Sequence, residues 1–219
     1  MKKQKKLYPD SGVELTPVLS RYYDTILNFA SFGLYRGFIR KAISDMDIQQ
    51  EDDILDLGCG TGRNACLMRE YLSDKGSITG VDISEKMEKQ FQKKCAGFDN
   101  VSFHRKRADI PLDTGTQYDK VVVSFVIHGF PHQVRENVIA NAYQLLKPGG
   151  KFIMLDFSEF SMDSMPWHHR FVFKTVECPY AFDFVERDWQ NILSNAGFRA
   201  FESHEYMKNY VRLLMAEKQ

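Results

Sequence analysis

The apolar positions of this chain follow two rhythms, and the shorter one is clearest at Asp53–Leu57. There Ile54-Leu55 and Leu57 make a brief apolar run among acids, the pattern of a parallel strand buried on both faces. Comparable runs recur at Ser77–Asp82, Val101–Arg107, Lys120–Phe125 and Lys151–Phe157. Between them lie stretches with helical spacing at Arg63–Leu72, Glu85–Lys94 and Gln133–Leu146. Lys147-Pro148-Gly149-Gly150 reads as a turn just before the fifth strand. Repeated strand–helix units require a parallel sheet covered by helices on both faces. Upstream, residues 20–29 and 34–43 look like two helices separated by Gly33 and its neighbouring serines. From Ser158 to Phe184 the rhythm breaks into a segment rich in Met, Phe, Trp and His that includes Pro166 and Pro179. Glu186–Asn195 returns to helix, with Gly197 as its stop, before two β-like stretches at Arg199–Glu205 and Tyr210–Ala216. Their short connection predicts antiparallel pairing. The expected fold class is therefore α/β, a doubly wound, mostly parallel seven-stranded sheet whose last strand runs antiparallel.

The first strand ends in Gly58-Cys59-Gly60-Thr61-Gly62, preceded by Asp56. Glycines in such a turn let a ligand approach bare backbone, and the following helix start offers unpaired N–H groups. A dinucleotide site asks for Gly-x-Gly-x-x-Gly. Counted from Gly58, the place of the last glycine holds Arg63, and the third glycine comes one residue early. The chain also lacks a second glycine-rich turn, which further disfavours an NAD-dependent oxidoreductase.

Gly58-x-Gly60-x-Gly62 after Asp56 resembles the signature of class I S-adenosylmethionine-dependent methyltransferases, and the resemblance runs from about Asp52 to the last residue. It implies a Rossmann-like fold and S-adenosyl-L-methionine as cofactor. Within that class the chain is similar to the ubiquinone/menaquinone C-methyltransferase group. The carrying residues are Tyr23-Asp24 with Ser31-Phe32-Gly33, the glycine turn with Thr61, and Leu145–Lys151. Leu155-Asp156-Phe157-Ser158 and Ala196-Gly197-Phe198 complete them. That group has an Arg-Asn pair shortly after the fourth strand, where this chain has Ile127-His128-Gly129, so the resemblance leaves the acceptor open.

Asp82, in Gly80-Val81-Asp82-Ile83-Ser84, ends the second strand and is expected to accept from ribose hydroxyls. The competing reading makes it a helix cap, a role Ser84 fills better. The resemblance implies that the segment after the third strand holds the adenine, with Asp109 taking the exocyclic amine and Ala108 or Ile110 facing the ring. An ordinary loop exit is the alternative. Ser124, at the end of the fourth strand, should approach the methionine part of the cofactor, with residues 126–130 bordering the methyl acceptor. His128 is the candidate general base, since imidazole titrates near neutrality; the alternative is a histidine that only shapes the pocket wall. Many methyl transfers need only alignment of acceptor and donor.

Composition changes this picture little. Acids and bases balance at 29 each across 219 residues, so no global field favours nucleic acid or membrane. Four cysteines without paired spacing suit a reducing, cytoplasmic setting, and no apolar run approaches the ~20 residues of a spanning helix. The basic stretch Met1–Lys6 is followed by no hydrophobic segment and does not read as a secretory signal. Adjacent His168-His169 cannot readily ligate one ion together, so no metal is expected. One domain is anticipated. Residues 1–45 would be a basic tail with lid helices, 46–157 the cofactor core, 158–184 a substrate-side insertion, and 185–219 a closing helix and strand pair. Phe160, Met162, Met165, Trp167, Phe171 and Phe173 would give the insertion a flexible apolar surface for a small aromatic or apolar acceptor. A scaffold protein that binds the cofactor without turnover is the alternative in a different functional class. Oligomeric state is left open.

Overall fold

The computed structural model describes residues 34–163 and 165–219. Alternation along the strands explains the layering. In β1 (Asp53–Leu57), β4 (Tyr118–Ser124) and β5 (Leu146–Phe157), side chains two apart share a face. Leu55, Leu57, Val121, Val123, Phe152 and Met154 enter one core; Ile54, Val122, Ile153 and Leu155 enter the other. Both faces are buried because helices cover both. α1 (Leu34–Ser44), α2 (Arg63–Arg69) and α3 (Glu85–Cys95) supply Ile39, Ile43, Met68 and Phe91 to the second core. α4 (His132–Leu145), α6 (Pro179–Val185) and α7 (Trp189–Asn195) supply Val138, Phe184 and Trp189 to the first.

With β2 (Ser77–Asp82), β3 (Val101–Arg105), β6 (Phe198–Tyr206) and β7 (Val211–Lys218), the sheet has the order β3-β2-β1-β4-β5-β7-β6. β7 alone runs against both its neighbours, as its short link to β6 requires. The chain winds outward from β1 on one side and from β4 on the other, so the switch point lies between their carboxyl ends. Ligands of open α/β sheets settle in that crevice.

Several boundaries move. The expected turn at residues 147–150 is absorbed into β5 as an irregularity: pairing steps from Tyr118↔Leu146 to Lys120↔Lys151, and Gly149 takes φ +77°. The helix expected from Glu186 begins at Trp189, where the Asp188 side chain accepts from the Asn191 N–H. The segment without rhythm is largely helical, forming α5 (Trp167–Val176) and α6. Its aromatics divide. Met165 is buried, while Phe160, Met162 and Phe173 pack against the first core. Trp167 and Phe171 are exposed at 75% and 67%. The continuous apolar surface expected of this segment is thus reduced to two residues one helical turn apart. No helix among the described residues is long and apolar enough to cross a membrane. The expected helix at 20–29 lies outside the described residues.

Candidate active site

The glycine turn closes β1 by folding back on β2: the N–H groups of Gly58 and Cys59 donate to the Val81 carbonyl at 2.7 and 3.1 Å. Gly58, Gly60 and Gly62 all hold positive φ, at +76°, +53° and +78°. Their reasons differ. A Cβ on Gly58 would meet the Val126 side chain at 2.7 Å, and one on Gly62 would meet the Phe91 ring at 2.6 Å. These two are glycines because neighbouring side chains press on them. Among the described residues, a Cβ on Gly60 would find nothing nearer than the Gly58 carbonyl at 4.0 Å. Gly60 therefore presents bare backbone to open space, the cradle expected of a ligand site. A side chain at Gly60 would not clash with the turn itself.

Asp82 ties this turn to the next loop. One carboxylate oxygen accepts from the Gly60 N–H at 3.1 Å, the other from the Ser84 N–H at 2.8 Å. Ser84 is the cap of α3, accepting from the Met87 N–H at 3.3 Å. Burial raises the Asp82 carboxyl above its ordinary range, against the opposing pull of backbone donors at Ser84, Gly60 and Ile83. Asp56 is more deeply buried. Burial first, then the charge of Asp82, pushes its carboxyl up to about 7, and among the described residues its Oδ2 has no hydrogen-bond partner. An orphaned buried oxygen beside an open glycine suits a ligand that brings its own donors. α2 is only seven residues long, so this cradle rests on backbone approach at Gly60 and on the acids.

The remaining expected contacts lie after the carboxyl ends of β1, β2, β3 and β4. Ser124 Oγ accepts from Asn64 Nδ2 at 3.1 Å across the β1–β4 gap, and Lys94 Nζ donates to Thr61 Oγ1 at 3.0 Å. The loop after β3 is pinned by Asn141, whose amide donates to the carbonyls of Ala108 and Ile110, each at 2.7 Å. Asp109 is held in a fork by Arg107, at 2.9 and 2.6 Å, a partner the sequence reading did not supply. Ile83 is half-buried and Ile110 exposed. Tyr23 lies outside the described residues, as does the first of the two expected lid helices; the second is α1, whose Ile39 and Ile43 are buried in the second core, so it is a covering layer of the sheet.

Across the crevice, β4 ends in a forced bend. Phe125 holds φ +51°, a conformation costly to a bulky residue, while its N–H donates to the Leu155 carbonyl at 2.9 Å. The bend turns the chain into a single 3₁₀ turn, Ile127–Gly129, that carries His128. His128 Nδ1 lies 2.7 Å from Asp156 Oδ1, and its backbone N–H donates to Asp156 Oδ2 at 3.3 Å. Nε2 faces Glu177 Oε2 at 3.6 Å, just beyond the end of α5. The imidazole is 15% exposed, Asp156 1% and Glu177 21%. Burial alone would lower the imidazole pKa. The charge and hydrogen bond of Asp156, with Glu177 behind them, outweigh burial and the opposing Arg135, and the net shift is upward. Burial raises Glu177, Asp156 adds to the rise, and His128 opposes it.

Arg135, on α4, sets the turn in place. Wholly buried, it donates to the carbonyls of Ile127 (3.2 Å), His128 (3.1 Å) and Tyr180 (2.6 Å), and pairs with Asp183 at 2.6 Å. Its guanidinium lies over the rings of Phe184 and Trp189. Asp156, Glu177 and Arg135 were all missed as site residues from sequence. Only Asp156 left a signal there, as an acid at the end of an otherwise apolar strand. A surface hollow of about 400 Å³ lined by Leu112–Gln117, Leu145 and Lys147 lies at the amino ends of β4 and β5, away from this chemistry.

Residues 54–150 match a family model described as a methyltransferase domain. The chain is 27% identical over 159 residues to the demethylmenaquinone methyltransferase of Staphylococcus epidermidis, covering 72% of this chain. The matched stretch spans 65% of that relative's length. Among solved structures, an O-methyltransferase family protein from Burkholderia thailandensis aligns with a TM-score of 0.65 at 18% identity, over 88% of this chain and 58% of the other. The N-methyltransferase NodS from Bradyrhizobium japonicum, solved with S-adenosyl-L-homocysteine, aligns with a TM-score of 0.60 at 13% identity, over 85% of this chain and 87% of that one. At these identities the solved structures establish the fold.

Proposed function

We propose that this chain, whose fold and central motifs are those of the class I S-adenosylmethionine-dependent methyltransferases, moves the methyl group of that cofactor to a small aromatic or apolar acceptor. When bound, the cofactor supplies a methyl carbon on a sulfonium that leaves as a neutral thioether. The protein then has to hold, align and exclude water. Gly60 offers the backbone on which the cofactor would lie, and Gly58, Thr61 and Gly62 keep that turn in shape. Asp82 and Ile83 would receive the ribose, with Asp82 accepting from its hydroxyls. Ala108, Asp109 and Ile110 would border the adenine, and Asp56 and Ser124 the methionine part. His128 faces the acceptor side. The observation that carries the reading is the open face of Gly60, strapped by Asp82, set across the β1–β4 switch point from the His128 turn. A quinone-like acceptor is supported by the named activity of the staphylococcal relative.

Calorimetry with S-adenosyl-L-homocysteine and with NAD tests the cofactor half. Binding of the first and not the second is expected, and the reverse result would overturn the assignment. Transfer of label from methyl-labelled cofactor to a panel of acceptors tests turnover. Tight cofactor binding with no transfer to any acceptor would favour a scaffold role.

A further inference from the structure

The cysteines show no paired spacing along the chain, yet Cys66 and Cys95 come together behind the glycine turn. Cys66 lies within α2, and Cys95 is the last residue of α3. One carbonyl gathers both: Gly62 O accepts from the Cys66 N–H at 2.9 Å and from Cys95 Sγ at 3.8 Å. The two thiols face each other there, with Cys95 placed to donate to an ionised Cys66. Their surroundings differ. Cys66 is half-buried, whereas Cys95 is 5% exposed. The Cys95 thiol, with the Lys94 charge behind it, holds Cys66 below the ordinary thiol range against the opposing effect of burial. Cys95 is pushed up by Cys66 and by burial. Cys59 is also kept as a thiol, by burial and by the charges of Asp56 and Asp82. A reachable, ionisable sulfur beside a shielded, protonated one is the pairing in which an oxidant attacks the first and the second resolves it.

The end of α3 also grips the glycine turn at two further points. Lys94 Nζ donates to Thr61 Oγ1 at 3.0 Å, and the Phe91 ring fills the space where a Gly62 Cβ would stand, 2.6 Å away. Thr61 and Gly62 thus take their position from the last turn of α3. A disulfide needs its sulfurs about 2.05 Å apart. Closing one draws Cys95 Sγ off the Gly62 carbonyl towards α2, and Lys94 and Phe91 follow the helix end.

We propose that Cys66 and Cys95 are a modification site, oxidised by a peroxide to a reversible disulfide that loosens the glycine turn and weakens cofactor binding. The cofactor half of this rests on the methyl-transfer reading above. The Cys66 thiolate attacks one peroxide oxygen; the oxygen–oxygen bond breaks, leaving a sulfenic acid on Cys66 and releasing hydroxide. The Cys95 sulfur then attacks the sulfenic sulfur; the sulfur–oxygen bond breaks, and the oxygen leaves as water with the Cys95 proton. With hydrogen peroxide, two thiols lose two electrons in all and the peroxide becomes two waters. A dithiol reductant reverses the change by exchange and is itself oxidised to its disulfide.

The test treats the full chain with hydrogen peroxide, blocks the remaining thiols, and maps the linked peptides by mass spectrometry. A single link between Cys66 and Cys95, undone by dithiothreitol, is expected. Calorimetry with S-adenosyl-L-homocysteine should find the oxidised protein weaker by about tenfold or more. Cys66→Ser should bind as the reduced wild type does and keep that affinity after peroxide. A second measurement needs only the wild type. Coupling is reciprocal, so a tenfold preference for the reduced form means that saturating S-adenosyl-L-homocysteine raises the reduction potential of the pair by about 30 mV in a glutathione buffer. Absence of the link, or a link from Cys95 to Cys59 instead, overturns the proposal. So does a correct link that leaves both the affinity and the potential unmoved. Reduced protein that binds no S-adenosyl-L-homocysteine overturns the methyl-transfer reading and the coupling with it, while the peptide map decides the disulfide by itself.

Discussion

At the scale of single residues, the three glycines of one turn separate packing from binding. Gly60→Ala puts a methyl group into open space at positive φ, a backbone cost of about 1–2 kcal/mol. The variant should stay folded by circular dichroism and lose cofactor binding in calorimetry; normal binding would mean that nothing lies against Gly60. Gly58→Ala and Gly62→Ala add a clash with Val126 or Phe91 and should lose stability before they report on binding. Asp82→Ala should weaken the cofactor by roughly 1.5–3 kcal/mol, about ten- to a hundredfold. Unchanged affinity would remove Asp82 from the site. His128 allows a prediction about pH. Its folded pKa is raised, so the stability it contributes is full below the ordinary imidazole value and fades as pH rises through the raised one. The melting-temperature deficit of Asp156→Asn relative to wild type should accordingly be larger at pH 5.5 than at pH 9.

Among the elements, the 3₁₀ turn and α6 stand or fall with Arg135. Arg135→Met keeps bulk but leaves the buried carbonyls of Ile127 and His128 without their donor, at about 1–3 kcal/mol for each buried group. Denaturant melts should show that loss, and methyl transfer should fall further than cofactor affinity. α5 tests the acceptor side from its outer face. Trp167 is 75% exposed, so Trp167→Ala should change stability by no more than about 0.5 kcal/mol. Reduced acceptor use with cofactor affinity intact is expected. Equal loss of both, or unfolding, would detach α5 from the acceptor.

Across the whole molecule, chemistry and anchorage occupy opposite edges of the sheet. The carboxyl ends of β1, β2, β4 and β5 carry Asp82, His128 and Asp156. Near the amino ends, Lys120 is buried against Asp52 at 2.7 Å, and Lys147 bridges Asp53 and Asp119 at 3.2 and 2.7 Å. Asp52→Ala strands the Lys120 charge and should cost about 3–5 kcal/mol. Calorimetry on the fraction that remains folded should find cofactor affinity unchanged, because that pair lies at the far end of the strands.

The strands, the sheet's winding, the antiparallel last strand and the glycine turn were legible in the order of residues. Those features depend on neighbours in sequence: period-2 alternation, glycine spacing, and a link too short for a crossover. Asp82 and His128 were legible as candidates for the same reason, since each stands at the end of a recognisable strand. Their partners were not. Asp156 and Glu177 lie 28 and 49 residues beyond His128 in the chain, and Arg135 reaches the His128 turn from inside a helix whose pattern marks it only as a covering layer. Which of the three glycines is hemmed in by side chains, which aromatics of the 158–184 segment are core, and what stands on either side of the imidazole depend on contacts between separate elements. Only the packed tertiary structure decides them, because burial and charge partnership are properties of what surrounds a residue in space.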